Sequence, residues 1–162
     1  MLKYALMLRA TSLSEMIRVS PWTWPLSETA HFIGMCLLLG VIGLMDFHLL
    51  GFAKVMSPGA LRKLLPWGIF GFFINLVSGL VFVIGAPDQY ASNPAFYVKL
   101  GFLALAGLNA LYYETSHGEK VLAAGQFENP GATLRLAGAV SLFSWFMVLY
   151  WGRMLPFIGN AF

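Results

Sequence analysis

Four apolar runs, each close to the length of a bilayer crossing, constrain this chain more than any other feature. They cover residues 26–50, 66–84, 95–113 and 136–152. A helix needs roughly 17–25 mostly apolar residues to cross the hydrocarbon. Backbone N–H and C=O groups cannot be left unpaired in lipid, so such runs must be helical. Composition agrees: 59% of the residues are hydrophobic and only 10% charged, against about 25% charged in a soluble domain. Mean hydropathy is +0.74. Charges are too few to coat a water-facing surface. The expectation is an all-α fold in a single domain over 1–162, a four-transmembrane-helix up-down bundle.

The connecting segments carry Pro and Gly where chain reversals are needed. They read "SPGALRK", "GAPDQYASNP" and "ETSHGEKVLAAGQFENPGAT", with Pro66 opening the second span. Residues 1–20 differ. Leu2, Leu6, Ala10, Leu13 and Ile17 gather on one side of a helix, with Thr11, Glu15 and Arg18 on another. This is the pattern of an amphipathic helix lying on the membrane. A signal peptide is the rival, but no uninterrupted apolar core follows Lys3 and Arg9. Trp22 and Trp24 in "PWTWP" suit the headgroup level. Lys54, Arg62, Lys63, Lys120 and Arg135 outnumber Arg18, Lys99 and Arg153 near the span ends. That places the first and third links inside and both termini outside.

Several function classes drop out. The net charge of +3 is scattered, with no basic run that would grip nucleic acid. Phosphate-loop, HExxH and GxSxG patterns are absent. The lone Cys36 permits neither an intrachain disulfide nor a cysteine metal cluster and is expected in the core. The eight Met residues show no repeated Met-x-Met or Met-x-x-Met run, which disfavours copper transport.

What remains is a set of polar side chains inside the spans, each a functional hypothesis by default. His31 and Lys99 both lie about five residues into odd-numbered spans, hence at similar depth. Asp46, His48, Asn109 and Glu114 lie towards the opposite surface, and Asn75 near the middle of the second span. His31 and His48 are 17 residues apart, roughly 25 Å along a helix, too far to share one metal. His31 is a candidate axial haem ligand or proton carrier, or a histidine that cements helices. Lys99 is a candidate second group at that site, or a side chain that snorkels to the surface. His48, His117 and Asn109 are secondary candidates. His48 and His117 could form a bis-His pair at the inner leaflet or be ordinary interfacial residues. Asn75 and Asn109 suit interhelical hydrogen bonding. Asp46 is expected to pair with Arg62, Lys63 or Arg135. Phe70, Phe72, Phe73 and Phe82 form an aromatic stripe for lipid, packing, or a flat porphyrin or quinone.

The stretches "WPLSETAHFIGMCLLLGVIGLMDFHLLG", "LLPWGIFGFFINLVSGLVFVI" and "NPAFYVKLGFLALAGLNALYYE" resemble a group of uncharacterised bacterial four-span membrane proteins. The shared pattern is His31, "DFHLLG" from Asp46, Pro66, Phe96 with Lys99, and Asn109, over roughly residues 24 to 114. That group is distantly similar to CopD-like membrane domains and to HemJ, the four-span protoporphyrinogen oxidase. The chain departs from HemJ at Asn109, where a His is common, and at the end of its first span. The resemblance implies haem b at His31 with Lys99 beside it, and an oxidoreductase or electron-transfer subunit. The expected partners are lipid, a quinone, and another membrane or redox protein or a second copy, in the bacterial inner membrane. The alternative is a non-catalytic accessory subunit that anchors a larger membrane complex.

Overall fold

The computed structural model describes residues 2–52, 56–123 and 131–158, without the side chains of 117–123. Every element among them is helical: α1 Leu2–Arg9, α2 Ser12–Val19, α3 Thr23–Leu49, α4 Pro58–Gly85, α5 Pro87–Ser92, α6 Pro94–Ala123 and α7 Ala132–Met154, then a 3-10 turn at Leu155–Phe157. Four of them, α3, α4, α6 and α7, are long and apolar enough to cross a membrane.

The helices outrun the apolar runs that announce them. α4 begins eight residues before Pro66, where the Ser57 hydroxyl accepts from the Ala60 N–H at 3.2 Å and Pro58 occupies the first turn. Serine then proline is a strong start signal, because both deal with N–H groups that the helix cannot pair. Pro66 therefore lies inside the helix. α6 continues through Glu114–Ala123, expected as a link, because "EKVLAA" is rich in good helix formers. The amphipathic N-terminal segment is two helices, divided where the Thr11 side chain caps α2.

Packing is inside-out relative to a water-soluble bundle. Buried positions include Ser14, Asp46, Ser78, Asn93, Ser141 and Ser144, whereas Phe32, Trp67, Phe70, Phe73, Leu108, Phe143 and Phe146 face outwards. So large an apolar exterior is untenable in water and natural in lipid. The chain is a multi-pass membrane protein.

Each spanning helix turns small or polar residues inward: Gly34 and Asp46 on α3, Gly68, Gly71 and Ser78 on α4, Ala95 and Ala106 on α6, Ala137, Ser141 and Ser144 on α7. Steps of three, four and seven along α4 and α7 keep these residues on one helix face. α3 and α4 meet most closely at Gly34 and Gly71. A Cβ on either would come within 2.8 Å of the other's carbonyl oxygen. Small residues allow such close approach in membranes. α3 packs on α4 and on α7, and α7 on α6, while α4 and α6 touch little. Cys36 is exposed on this bundle rather than in its core, because the inward face of α3 is taken by Gly34, Leu38 and Val41.

Candidate functional site

His31 faces into the α3–α4 contact, half-buried. Its Nδ1 lies 2.7 Å from the Ser78 Oγ. Ser78 has one hydroxyl proton, and the Ile74 carbonyl oxygen accepts it at 2.7 Å. When that proton is on the Ile74 oxygen, the Ser78 oxygen accepts from His31 and Nδ1 carries the proton. The Nε2 lone pair is left to act as ligand or base. This is how a metal-binding imidazole is commonly prepared: one nitrogen held, the other free. Phe82 meets the imidazole at 5.6 Å, edge to face, and Trp24 meets Phe82 at 5.2 Å. The ring is thus fixed on two sides.

Lys99, on α6, is half-buried rather than extended into solvent. Its stem runs along α7 at Gly152, where a Cβ would sit 3.5 Å from Nζ. A Cβ there would make ordinary van der Waals contact with the lysine. His31 lies in the first part of α3 and Lys99 in the first part of α6, helices that run in the same direction, so the two residues share one end of the molecule, as their depth in the sequence implies. Nearby, the indole N–H of Trp151 is buried without a hydrogen-bond partner among the described residues. This end is closed by Asn93, 1% exposed. Its side chain donates to the Leu155 carbonyl oxygen at 2.8 Å and accepts from the Ala95 N–H at 2.9 Å.

The opposite end holds a different group. Asp46 is 4% exposed. The Ser141 hydroxyl of α7 hydrogen-bonds to it, while its Oδ2 has no partner among the described residues. Among the described residues the geometry gives Asp46 no salt bridge to Arg62, Lys63 or Arg135, where one was expected. Arg62 instead forms a forked salt bridge to Glu114 of α6, one arm at 3.1 Å. Asp46 turns towards α7 because Gly138 leaves space there: a Cβ at 138 would lie 3.1 Å from the Asp46 carbonyl oxygen. Arg62, near the start of α4, lines a crevice with Met45, His48 and Leu49 of α3.

The secondary candidates separate. His48 is half-buried and lines a small crevice with Met45, Leu61, Arg62 and Tyr113. The His117 side chain lies outside the described residues, so a His48–His117 pair has no structural description. Asn109 does join helices, donating to the Ala137 carbonyl oxygen at 3.0 Å. Asn75 does not: it donates within α4, to the Gly71 carbonyl oxygen at 2.9 Å. Of the aromatic stripe, Phe70 and Phe73 face lipid, and only Phe82 reaches His31.

Ser78 and Ser141, the partners of His31 and Asp46, went unnoticed in the sequence. Their only signal is a serine on the inward row of an otherwise apolar helix. Between the two polar ends lie Leu38 and Val41, both buried, so the bundle carries two separate polar sites. No known protein family, no curated protein and no solved structure matches the chain.

Proposed function

We propose that this is a small redox protein of the bacterial inner membrane, holding b-type haem with His31 as an axial ligand. The observation that carries the reading is the Ser78 hydrogen bond, which engages Nδ1 and leaves Nε2 for iron. The donor set fits, since haem needs one or two axial atoms rather than a cluster. Among the described residues there is no group of three or more His, Cys, Asp or Glu suited to a bare metal ion. Haem, when bound, supplies one-electron transfer. Lys99 would supply a cation to a carboxylate-bearing group, with its stem held against Gly152. Phe82 and Trp24 would keep water from the imidazole. A quinone or a partner enzyme would then exchange the electrons.

The test is the absorption spectrum of detergent-purified protein, oxidised and dithionite-reduced, with a pyridine haemochrome assay. Reduced bands of b type that vanish in His31→Ala are the expected result. A colourless protein with full helical content would overturn the haem reading and leave an accessory membrane subunit.

A further inference from the structure

Where α1 and α2 lie across the turn from α4 into α5 there is a cavity of about 260 Å³, lined by Arg9, Arg18, Trp24, Gly85, Asp88 and Gln89, with Ala86. Its charges do not cancel. Arg9 forms a salt bridge with Asp88. Arg18 has no carboxylate partner among the described residues. Its guanidinium donates only to main-chain oxygens, from Nε to Ser14 and from one terminal nitrogen to Arg9, each at 3.4 Å. These long bonds orient the fork and leave its remaining N–H groups unspent. The lining residues therefore hold two guanidinium groups against one carboxylate, a surplus of one positive charge, while the Glu28 carboxylate is occupied by the Trp24 indole N–H at 3.2 Å.

Its place in the fold says which anion would meet it. The cavity sits at the end of the spans, between the amphipathic α2 and the aromatic Trp24, at the level of lipid headgroups. Gly85 forms part of the wall and must be small. A Cβ there would come within 3.0 Å of Ile17 and 3.1 Å of Trp24. A guanidinium fork matches two phosphate oxygens. At a membrane surface the abundant phosphates are phosphodiesters. A surplus of one positive charge favours a headgroup of net charge −1 over a zwitterion.

We propose that this cavity is a binding site for the headgroup of an anionic phospholipid, with the phosphodiester on Arg18 and the Arg9–Asp88 pair beside it. The lipid would clamp α1 and α2 onto the bundle. The proposal is independent of whether His31 carries haem.

The test is native mass spectrometry of the full chain in detergent, titrated with phosphatidylglycerol or phosphatidylcholine. Phosphatidylglycerol should bind more tightly and in a salt-sensitive way. Arg18→Gln should weaken it roughly ten-fold, the loss of one charge-assisted contact. Arg153→Gln serves as the control and should change nothing, since that arginine stacks on Phe157 at 5.2 Å, away from the cavity. Circular dichroism confirms that each variant is folded, and Arg18→Lys, which keeps the charge, should recover part of the binding. Equal binding of the two lipids, or binding unaffected by Arg18→Gln, would overturn the proposal. Displacement of the lipid by millimolar inorganic phosphate would point to a soluble-anion site and overturn the lipid assignment.

Discussion

At the scale of single residues, the polar groups inside the bundle differ in how well they are satisfied. His31 has a serine that holds its Nδ1. Ser78→Ala should release the ring, so that the tautomer populations read by nitrogen NMR differ from those of the parent protein. It should also cost about 1 kcal/mol in thermal unfolding, as expected for one hydrogen bond. Ser78→Thr should restore the parent populations. Asp46 has one hydroxyl, from Ser141, and an oxygen without a partner. No salt bridge reaches it among the described residues, so Asp46→Asn forfeits no ion pair and keeps an oxygen for Ser141. That variant should stay within about 1 kcal/mol of the parent protein. Asp46→Ala leaves Ser141 unpaired and opens a cavity, so it should lose more.

At the scale of the helices, glycine decides how close two axes come. Gly71 meets Gly34 across the α3–α4 contact, and its Cβ would come within 2.8 Å of Leu37 and of the Leu38 amide nitrogen. Gly79, two turns further along α4, has nothing within 4 Å of its Cβ position. Gly71→Ala should therefore cost roughly 1–3 kcal/mol through overpacking. Gly79→Ala should be neutral or slightly stabilising, since alanine is the better helix former. Equal melting temperatures for the two variants would mean that α3 and α4 do not meet at these residues. The Arg62–Glu114 bridge ties α4 to α6 where those helices otherwise touch little. Both side chains are over a third exposed, so Glu114→Gln should cost less than about 1 kcal/mol.

At the scale of the whole molecule, alternation of direction governs what each surface receives. The α4–α5 turn, α1, α2 and the end of α7 share one face of the membrane, and the end of α3 and the start of α4 lie at the other. Single cysteines at positions 88 and 57, in a Cys36→Ser background, should label from opposite sides with an impermeant maleimide. Labelling of both from one side would refute the four-span arrangement. The native Cys36 should react with a lipid-soluble maleimide and resist an impermeant one in intact membranes, because it is exposed within a spanning helix.

Span number and helical class were legible because an apolar run of some twenty residues has one way to satisfy its backbone in lipid. The depth of His31 and Lys99 was legible for a related reason: the rise per residue is constant along a helix. Depth, however, says nothing about which neighbour a side chain meets. Ser78 lies 47 residues from His31, and nothing local to either announces the pairing. Asp46 was expected beside a cation and faces Ser141 instead, because Gly138 brings α7 against α3 at that point. Cys36 was expected in the core and faces outwards, because the rotation of α3 is set by Gly34 against Gly71. Helix ends, directions and depths follow from the chain's own chemistry. Helix order, rotation and the partner of every buried polar group follow from which small residues let which backbones approach, and that exists only once the four helices have packed.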